Sequence, residues 1–327
     1  MSEIKTPTWR CLITVVCGLI SVAGHAQVRD FPNRPIRVIV PSSSGGISDM
    51  VIRLIAPKLT EIMGQSVVVE NRPGASTNIG TELTAHAAGD GYTLLINSLP
   101  LVVNPSLFSK LPFNVEKDLA PVSLIVAAPY VLVVHPSVPA RTVNELIVLA
   151  KAKPGALHYS SGGNGTNLHI AAELFKNLSG IDINHVPYKG GGPALISVLG
   201  SETDLSFLSP VAVLPHISTG RLRALGITSS RRSPLLPELP TVAETGVAGF
   251  EFTAWVGVLA PAATPTRIVA MLNSYFLEAL RSPSLIDHFA KEGIDIVASS
   301  PVQFGAQIKS DLVRWAKVVR QSGMRAD

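Results

Sequence analysis

Four apolar runs with little polar alternation punctuate the first part of the chain: "IRVIV" (36–40), "SVVVE" (66–70), "YTLLI" (92–96) and "YVLVV" (130–134). Short continuous runs of this kind, bounded by turn residues, read as strands covered on both faces. Between the first two, Met50, Ile52, Leu54, Ile55, Leu59 and Ile62 fall near helical spacing. "NIGTELTAHAA" supplies a second helix before Gly89-Asp90-Gly91. Strands alternating with helices predict βαβ units and a mostly parallel sheet.

The pattern then recurs. "TVNELIVLAKAKPG" reads as a helix closed by Pro154-Gly155, "ALHYSS" as a strand running into "GGNGTNLH", and "IAAELFKNLSG" as the next helix. "INHVPY", "TDLSFLS" and "RALGIT" supply three more strands. Strand, small-residue loop and helix thus occur at 36–55 and again at 157–178. This predicts two α/β lobes, each opening with a Gly/Ser loop at a helix N-terminus. "TRIVAMLNSYFLEALRS" and "PVQFGAQIKSDLVRWAKVVRQSG" are amphipathic, and a helical tail of this kind packs back on one lobe. The expected organisation is a discontinuous first lobe, 28–128 plus 251–327, with the second lobe, 129–250, between its halves. Two chain crossings would then form a hinge.

Composition narrows the class. The 327 residues are 46% hydrophobic and 15% charged, enough for filled cores in two lobes. A scattered net charge of +4 and only 6% aromatics give neither a basic stripe nor a stacking platform, so no nucleic-acid partner is expected. Lys5 and Arg10, the uncharged run "CLITVVCGLISVA" and small residues ending at Ala26 have the layout of a secretory signal peptide covering residues 1–26. Export to the periplasm is the expectation. Both cysteines, Cys11 and Cys17, lie inside that segment. The processed chain would have no disulfide, thiolate nucleophile or Cys-ligated metal.

The Gly/Ser loops can be tested against known chemistries. A P-loop needs Lys and Ser/Thr after its last glycine, but Gly46 is followed by Ile47-Ser48-Asp49. A dinucleotide fingerprint laid on Gly163-Asn164-Gly165-Thr166-Asn167-Leu168 puts Leu168 where the third glycine belongs. There is no G-x-S-x-G elbow, and histidines 86, 135, 158, 169, 185, 216 and 288 show no metal-ligand spacing. No cofactor, metal or catalysis is expected. What remains is anion capture by the unpaired N–H groups and partial positive charge of two helix N-termini. The plainer reading, in which Ser48 and Thr166 only cap their helices and the glycines only turn the chain, stays open beside it.

Longer motifs then occur in a fixed order: "FPNRPIRVIVP", "VVVENRPGAST-NIG", "GDGYTLL", "NPSLFSKLPF", "DLAPVSLI", "SSGGNGTNLHIAAELF", "VPYKGGGPAL", "PHISTGRLRALGIT" and "LPELPTVAETG". Over residues 31–323 the chain resembles the solute-binding proteins of tripartite tricarboxylate transporters, the Bug family. The resemblance implies a two-lobed, type II-like periplasmic-binding-protein fold, with two α/β sheets joined by a two-crossing hinge. It implies capture of a small organic acid and delivery to membrane permease subunits by a monomeric receptor. A subunit presenting ligand to a membrane sensor would share the same pocket, and an exported carboxylate-processing enzyme would require a nucleophile, metal or acid–base pair.

By that resemblance the ligand loops are Ser42, Ser43, Ser44, Gly45, Gly46 and Asp49 on one side and Ser161, Gly162, Gly163, Asn164, Gly165 and Thr166 on the other. His169 on the following helix, Ser98 at a strand end and Asp204 are placed in the same cleft. The first loop departs from the family pattern: Ser42 stands in place of an aromatic, Ile47 of a glycine and Ser48 of a threonine. For Asp49, complementing the helix dipole and contacting ligand are both open.

Overall fold

Each predicted strand–loop–helix passage becomes a β–α unit in the computed structural model, which describes residues 31–322. The first part comprises β1 (Ile36–Val40), α1 (Ile47–Met63), β2 (Val67–Asn71), α2 (Asn78–Ala85), β3 (Thr93–Ser98), α3 (Pro100–Leu107) and α4 (Val115–Asp118). A long strand, β4 (Leu119–Pro129), runs through Tyr130 into β5 (Val131–Val134). Then come α5 (Val143–Ala152), β6 (His158–Ser161), α6 (Asn167–Ser179) and β7 (Asn184–Pro187). They are followed by α7 (Gly191–Leu199), β8 (Leu205–Leu208), α8 (Pro210–Ser218) and β9 (Arg223–Ile227). After a stretch of turns the chain closes with β10 (Thr253–Pro261), α9 (Thr266–Leu280), α10 (Pro283–Lys291), β11 (Asp295–Ile296) and α11 (Pro301–Ser322). The segment 1–26, read above as a signal peptide, lies outside the described residues, and among those described no helix is long and apolar enough to cross a membrane.

α1 shows why these segments fold as they do. Val51, Ile52, Ile55 and Leu59 recur at helical spacing and are fully buried, each contributing on the order of 1.5–3 kcal/mol. The helix stops at Gly64, whose φ of 65° only glycine adopts readily and whose N–H reaches the Thr60 carbonyl.

The strands form two sheets, ordered β11-β4-β10-β3-β1-β2 and β7-β6-β8-β5-β9. Both are mixed, which corrects the expectation of a mostly parallel sheet. β1 is parallel to β2 and β3, and β6 to β7 and β8, but β10 runs antiparallel to both its neighbours and so does β5. The physical reason is the crossing itself: a chain that leaves one sheet for the other must return in the opposite direction.

β4 and β10 are absent from the sequence-based expectation because Pro121, Pro129, Gly257 and Pro261 interrupt their patterns. Gly257 is a packing requirement. A Cβ there would lie 2.2 Å from Cζ of Phe304 on α11.

The chain passes between the sheets twice, through Tyr130 and through the segment ending at Phe252. Tyr130 N–H donates to Thr228 Oγ1 at 2.7 Å, Thr228 N–H to the Tyr130 carbonyl at 2.9 Å, and Phe252 N–H to the Thr228 carbonyl at 2.8 Å. The Tyr130 and Phe252 rings stand 5.7 Å apart, and Trp315 of α11 packs on Phe252. One core cluster runs from Leu95 and Phe304 on one side to Phe175 and Phe207 on the other. α11 packs against both α3 and α6, bridging the two sheets at the back.

Candidate functional site

The sheets face each other across one edge. Pro129 ends β4 opposite Thr253 of β10, at the edge where β3 ends in Ser98. On the other side Val131 begins β5 opposite Leu208, the last residue of β8. Both crossings therefore join the carboxyl ends of the parallel strands. The loops after β1, β2 and β3 meet those after β6, β7 and β8 in one crevice, the usual location of ligand sites in open α/β sheets.

The first loop is held by Asp49. Its carboxylate accepts from Gly45 N–H (2.9 Å), Arg53 Nε (2.8 Å) and Asn71 Nδ2 (2.9 Å). Asn71 also donates to the Ser42 carbonyl at 3.1 Å and accepts from Arg53 at 2.7 Å. Burial pushes the Asp49 carboxyl up, but the bonds from Gly45, Asn71 and Arg53 outweigh it and hold the group below the usual carboxylate range. This carboxylate shapes the loop. Ser43 accepts from Gly46 N–H through its carbonyl, Ser44 Oγ stands 3.4 Å from Asn71 Oδ1, and the N-cap, Gly46, gives α1 no side-chain cap.

Asp49→Ala strands a loop N–H and the Asn71 amide, each costing about 1–3 kcal/mol if unsatisfied. Loss of roughly 2–3 kcal/mol in urea unfolding and at least tenfold in ligand affinity is expected, with Asp49→Asn in between. Because the folded value lies below the unfolded one, the Asp49 contribution is present above about pH 4 and disappears as pH falls through the folded value.

The second loop rests on a buried polar cluster. Ser161 Oγ accepts from Gly163 N–H (3.0 Å) and lies 2.6 Å from His185 Nε2. Gly165 N–H donates to His169 Nδ1 at 3.1 Å. The two imidazoles stack at 4.3 Å, with Tyr159 4.8 Å from His185. Tyr159 hydroxyl (2.6 Å) and Lys176 (2.9 Å) both donate to Glu173. Burial, with the Lys176 ammonium, pushes His169 down to about 4. Burial, His169 and Lys176 likewise push His185 to about 4 against the pull of Glu173. Both rings are neutral at neutral pH.

His169 is therefore beneath the loop, holding it, and is only 6% exposed. Thr166 caps nothing: its hydroxyl donates to the Gly163 carbonyl at 2.8 Å, so the first turn of α6 has no side-chain cap and no acid. Gly162 is braced from the loop after β7, where Gly190 N–H reaches its carbonyl and Tyr188 N–H that of Ser161. Asn164 is exposed at the loop tip.

Ser98 is buried at the same edge as the first loop, its N–H on Asn97 Oδ1 at 2.7 Å. Asp204 does not join the site. It precedes β8 and accepts from His158 N–H at 2.7 Å, at the start of β6, so it sits at the opposite end of that sheet from the second loop.

Sequence reasoning missed a third cleft element, the turn Ala75–Thr77 after β2. Three successive non-glycine residues adopt left-handed φ of 45°, 50° and 81°, a strain of roughly 1–3 kcal/mol each. Asn104 on α3 holds the turn, donating to the Ser76 carbonyl (2.6 Å) and to Asn78 Oδ1 (2.8 Å). Ser76 Oγ stands 3.4 Å from the Asn164 carbonyl across the cleft. The one available signal was "RPGAST", directly after a strand.

The profile of a family described as tripartite tricarboxylate transporter family receptor, TctC, matches residues 51–324. The chain belongs to this family. BugT of Bordetella pertussis (strain Tohama I) is 40% identical over 319 residues, 96% of this chain and 98% of BugT. The structure of Rpa4515 of R. palustris with adipate is 35% identical, with a TM-score of 0.81 over 90% of this chain and 99% of that one. The periplasmic binding protein BugD is 29% identical, with a TM-score of 0.79 over 90% and 99% of the two chains. The two-lobed binding-protein fold expected from the TctC and Bug resemblance is thus shown, and the role of the family is solute binding. The matched span begins at Val51. The first loop lies just before it.

Proposed function

We propose that this TctC-family receptor is exported, captures a small organic acid between its lobes and delivers it to the permease subunits of a tripartite transporter. It acts as a monomer, without cofactor or catalysis, with lobes at 28–128 plus 251–327 and at 129–250. The observation that carries this reading is the pair of helix N-termini, α1 and α6, without side-chain caps, that open onto one crevice from opposite sides. Such termini hold a carboxylate through backbone N–H groups without any arginine. Adipate in Rpa4515 supports the ligand class.

A thermal-shift screen against mono-, di- and tricarboxylates, amino acids and nicotinate tests it. A carboxylate at a hundredfold excess over Kd stabilises by about 2.7 kcal/mol. Stabilisation by none of them, or conversion of the bound compound, contradicts the reading. Uptake of that compound should fail in cells lacking the receptor. Mass spectrometry of periplasmic protein is expected to find a new N-terminus near Gln27, whereas an intact Met1 in the membrane fraction contradicts export.

Ser42 belongs to the site on this reading. A Cβ on Gly46 would lie 3.1 Å from its hydroxyl. Ser42→Phe is expected to fill ligand space and weaken binding by roughly 1–3 kcal/mol. Equal affinities in calorimetry would place Ser42 outside the site.

A further inference from the structure

Among the described residues, five buried side-chain polar atoms have no hydrogen-bond partner: Ser42 Oγ, Asn104 Oδ1, Asn167 Oδ1, Thr264 Oγ1 and Trp315 Nε1. The first three belong to elements that border the crevice. Asn104 is 1% exposed and Asn167 8%. The Asn104 nitrogen donates to the Ser76 carbonyl and to Asn78 Oδ1, so its oxygen must be the free atom. On Asn167 the buried atom without a partner is again the amide oxygen.

These two acceptors flank the point where the lobes touch. Leu107 lies one turn after Asn104 on α3, and Leu107 Cδ1 and Ser76 Oγ are the atoms nearest to a Cβ built on Gly165, at 3.5 and 3.2 Å. Asn167 follows Gly165 by two residues and begins α6. A buried amide oxygen without a donor is costly, so the group that enters between the lobes should supply N–H or O–H.

Charge narrows that group further. Asp49 already accepts from Gly45, Arg53 and Asn71, and Glu173 from Tyr159 and Lys176. Neither carboxylate is left to balance a ligand ammonium.

We propose that the receptor selects a carboxylate bearing a neutral hydrogen-bond donor, a hydroxyl or a primary amide, over the same carbon skeleton without it. The carboxylate lies on the first turn of α6 and the donor meets Asn104 and Asn167. This rests on the reading of the crevice as a carboxylate site, and the test separates the two.

Calorimetry on the purified exported protein compares matched probes: succinate, malate and succinamate, then glutarate, 2-hydroxyglutarate and glutaramate. The expected result is at least tenfold tighter binding of a donor-bearing member than of its parent acid. That ratio should fall towards one in Asn167→Leu and in Asn104→Leu, with folding checked by thermal unfolding. Parent acids binding as tightly as their donor-bearing partners overturn the inference and leave the carboxylate reading standing. Binding of none of the six overturns both. A preference that persists undiminished in either folded variant overturns the assignment to that asparagine. If a variant does not fold, the wild-type ratio still decides the selectivity.

Discussion

Gly163→Val is expected to cost at least a hundredfold in ligand affinity while both sheets stay folded. Gly163 has φ of 116°, a conformation that a β-branched residue adopts only under strain, and a Cβ there would meet the Tyr188 carbonyl at 3.3 Å. Relieving the strain swings the two peptides flanking Gly163, the one whose N–H bonds Ser161 and the one whose carbonyl accepts from the Thr166 hydroxyl. The first turn of α6 then moves, and with it the N–H groups offered to the anion. The loop contributes little to either core, so thermal unfolding should shift by only a few degrees. A folded Gly163→Val protein with unchanged affinity would remove this loop from the site.

The second large effect is acid sensitivity of the histidine pair. His169 and His185 titrate near 6.5 when unfolded but are held at about 4 in the fold. Between those values the unfolded chain binds more protons than the folded one, so stability falls as pH drops from about 6.5 to about 4 and levels off below. Each histidine costs on the order of 3 kcal/mol by pH 4, an upper bound because the two interact. Protonated His169 also turns an N–H towards the Gly165 N–H it now accepts from, so ligand affinity should fall together with stability.

Urea unfolding at pH 7, 5.5 and 4.5 reads the effect, and it is separate from the Asp49 contribution, which disappears only below about pH 4. His169→Leu should flatten this limb and weaken binding at pH 7. His169→Asn, which can offer an oxygen where Nδ1 was, should recover part of the binding. A pH-independent stability between 7 and 4.5 in the wild-type protein would contradict the placement of both rings.

The repeated strand–loop–helix unit was legible in sequence because its signals are local: an apolar run, small residues, then helical spacing. β1 and α1, and β6 and α6, fall where the pattern puts them. The long crossing strands were not, because prolines interrupt β4 and β10 and the residues that stabilise them come from α11, far along the chain. The same distinction holds in the site. Both Gly/Ser loops could be read, but the partners that shape them could not. Asn71 reaches Asp49 from the next strand, 22 residues away, and His185 reaches Ser161 from 24 residues away. Asp204 was misplaced because residues before and after a short strand look alike in sequence but lie at opposite ends of the sheet. The Ala75–Thr77 turn was hidden because Asn104, which bonds its backbone at the Ser76 carbonyl, lies 28 residues further along the chain.

The central claim is that one ligand is held from both lobes at once. Hydrogen exchange with and without a saturating amount of the carboxylate that gives the largest thermal shift tests it most directly. The predicted result is new protection in both 42–49 and 161–168, with that at 161–168 lost in Gly163→Val. Protection confined to one of the two segments, or to neither, would contradict a site between the lobes.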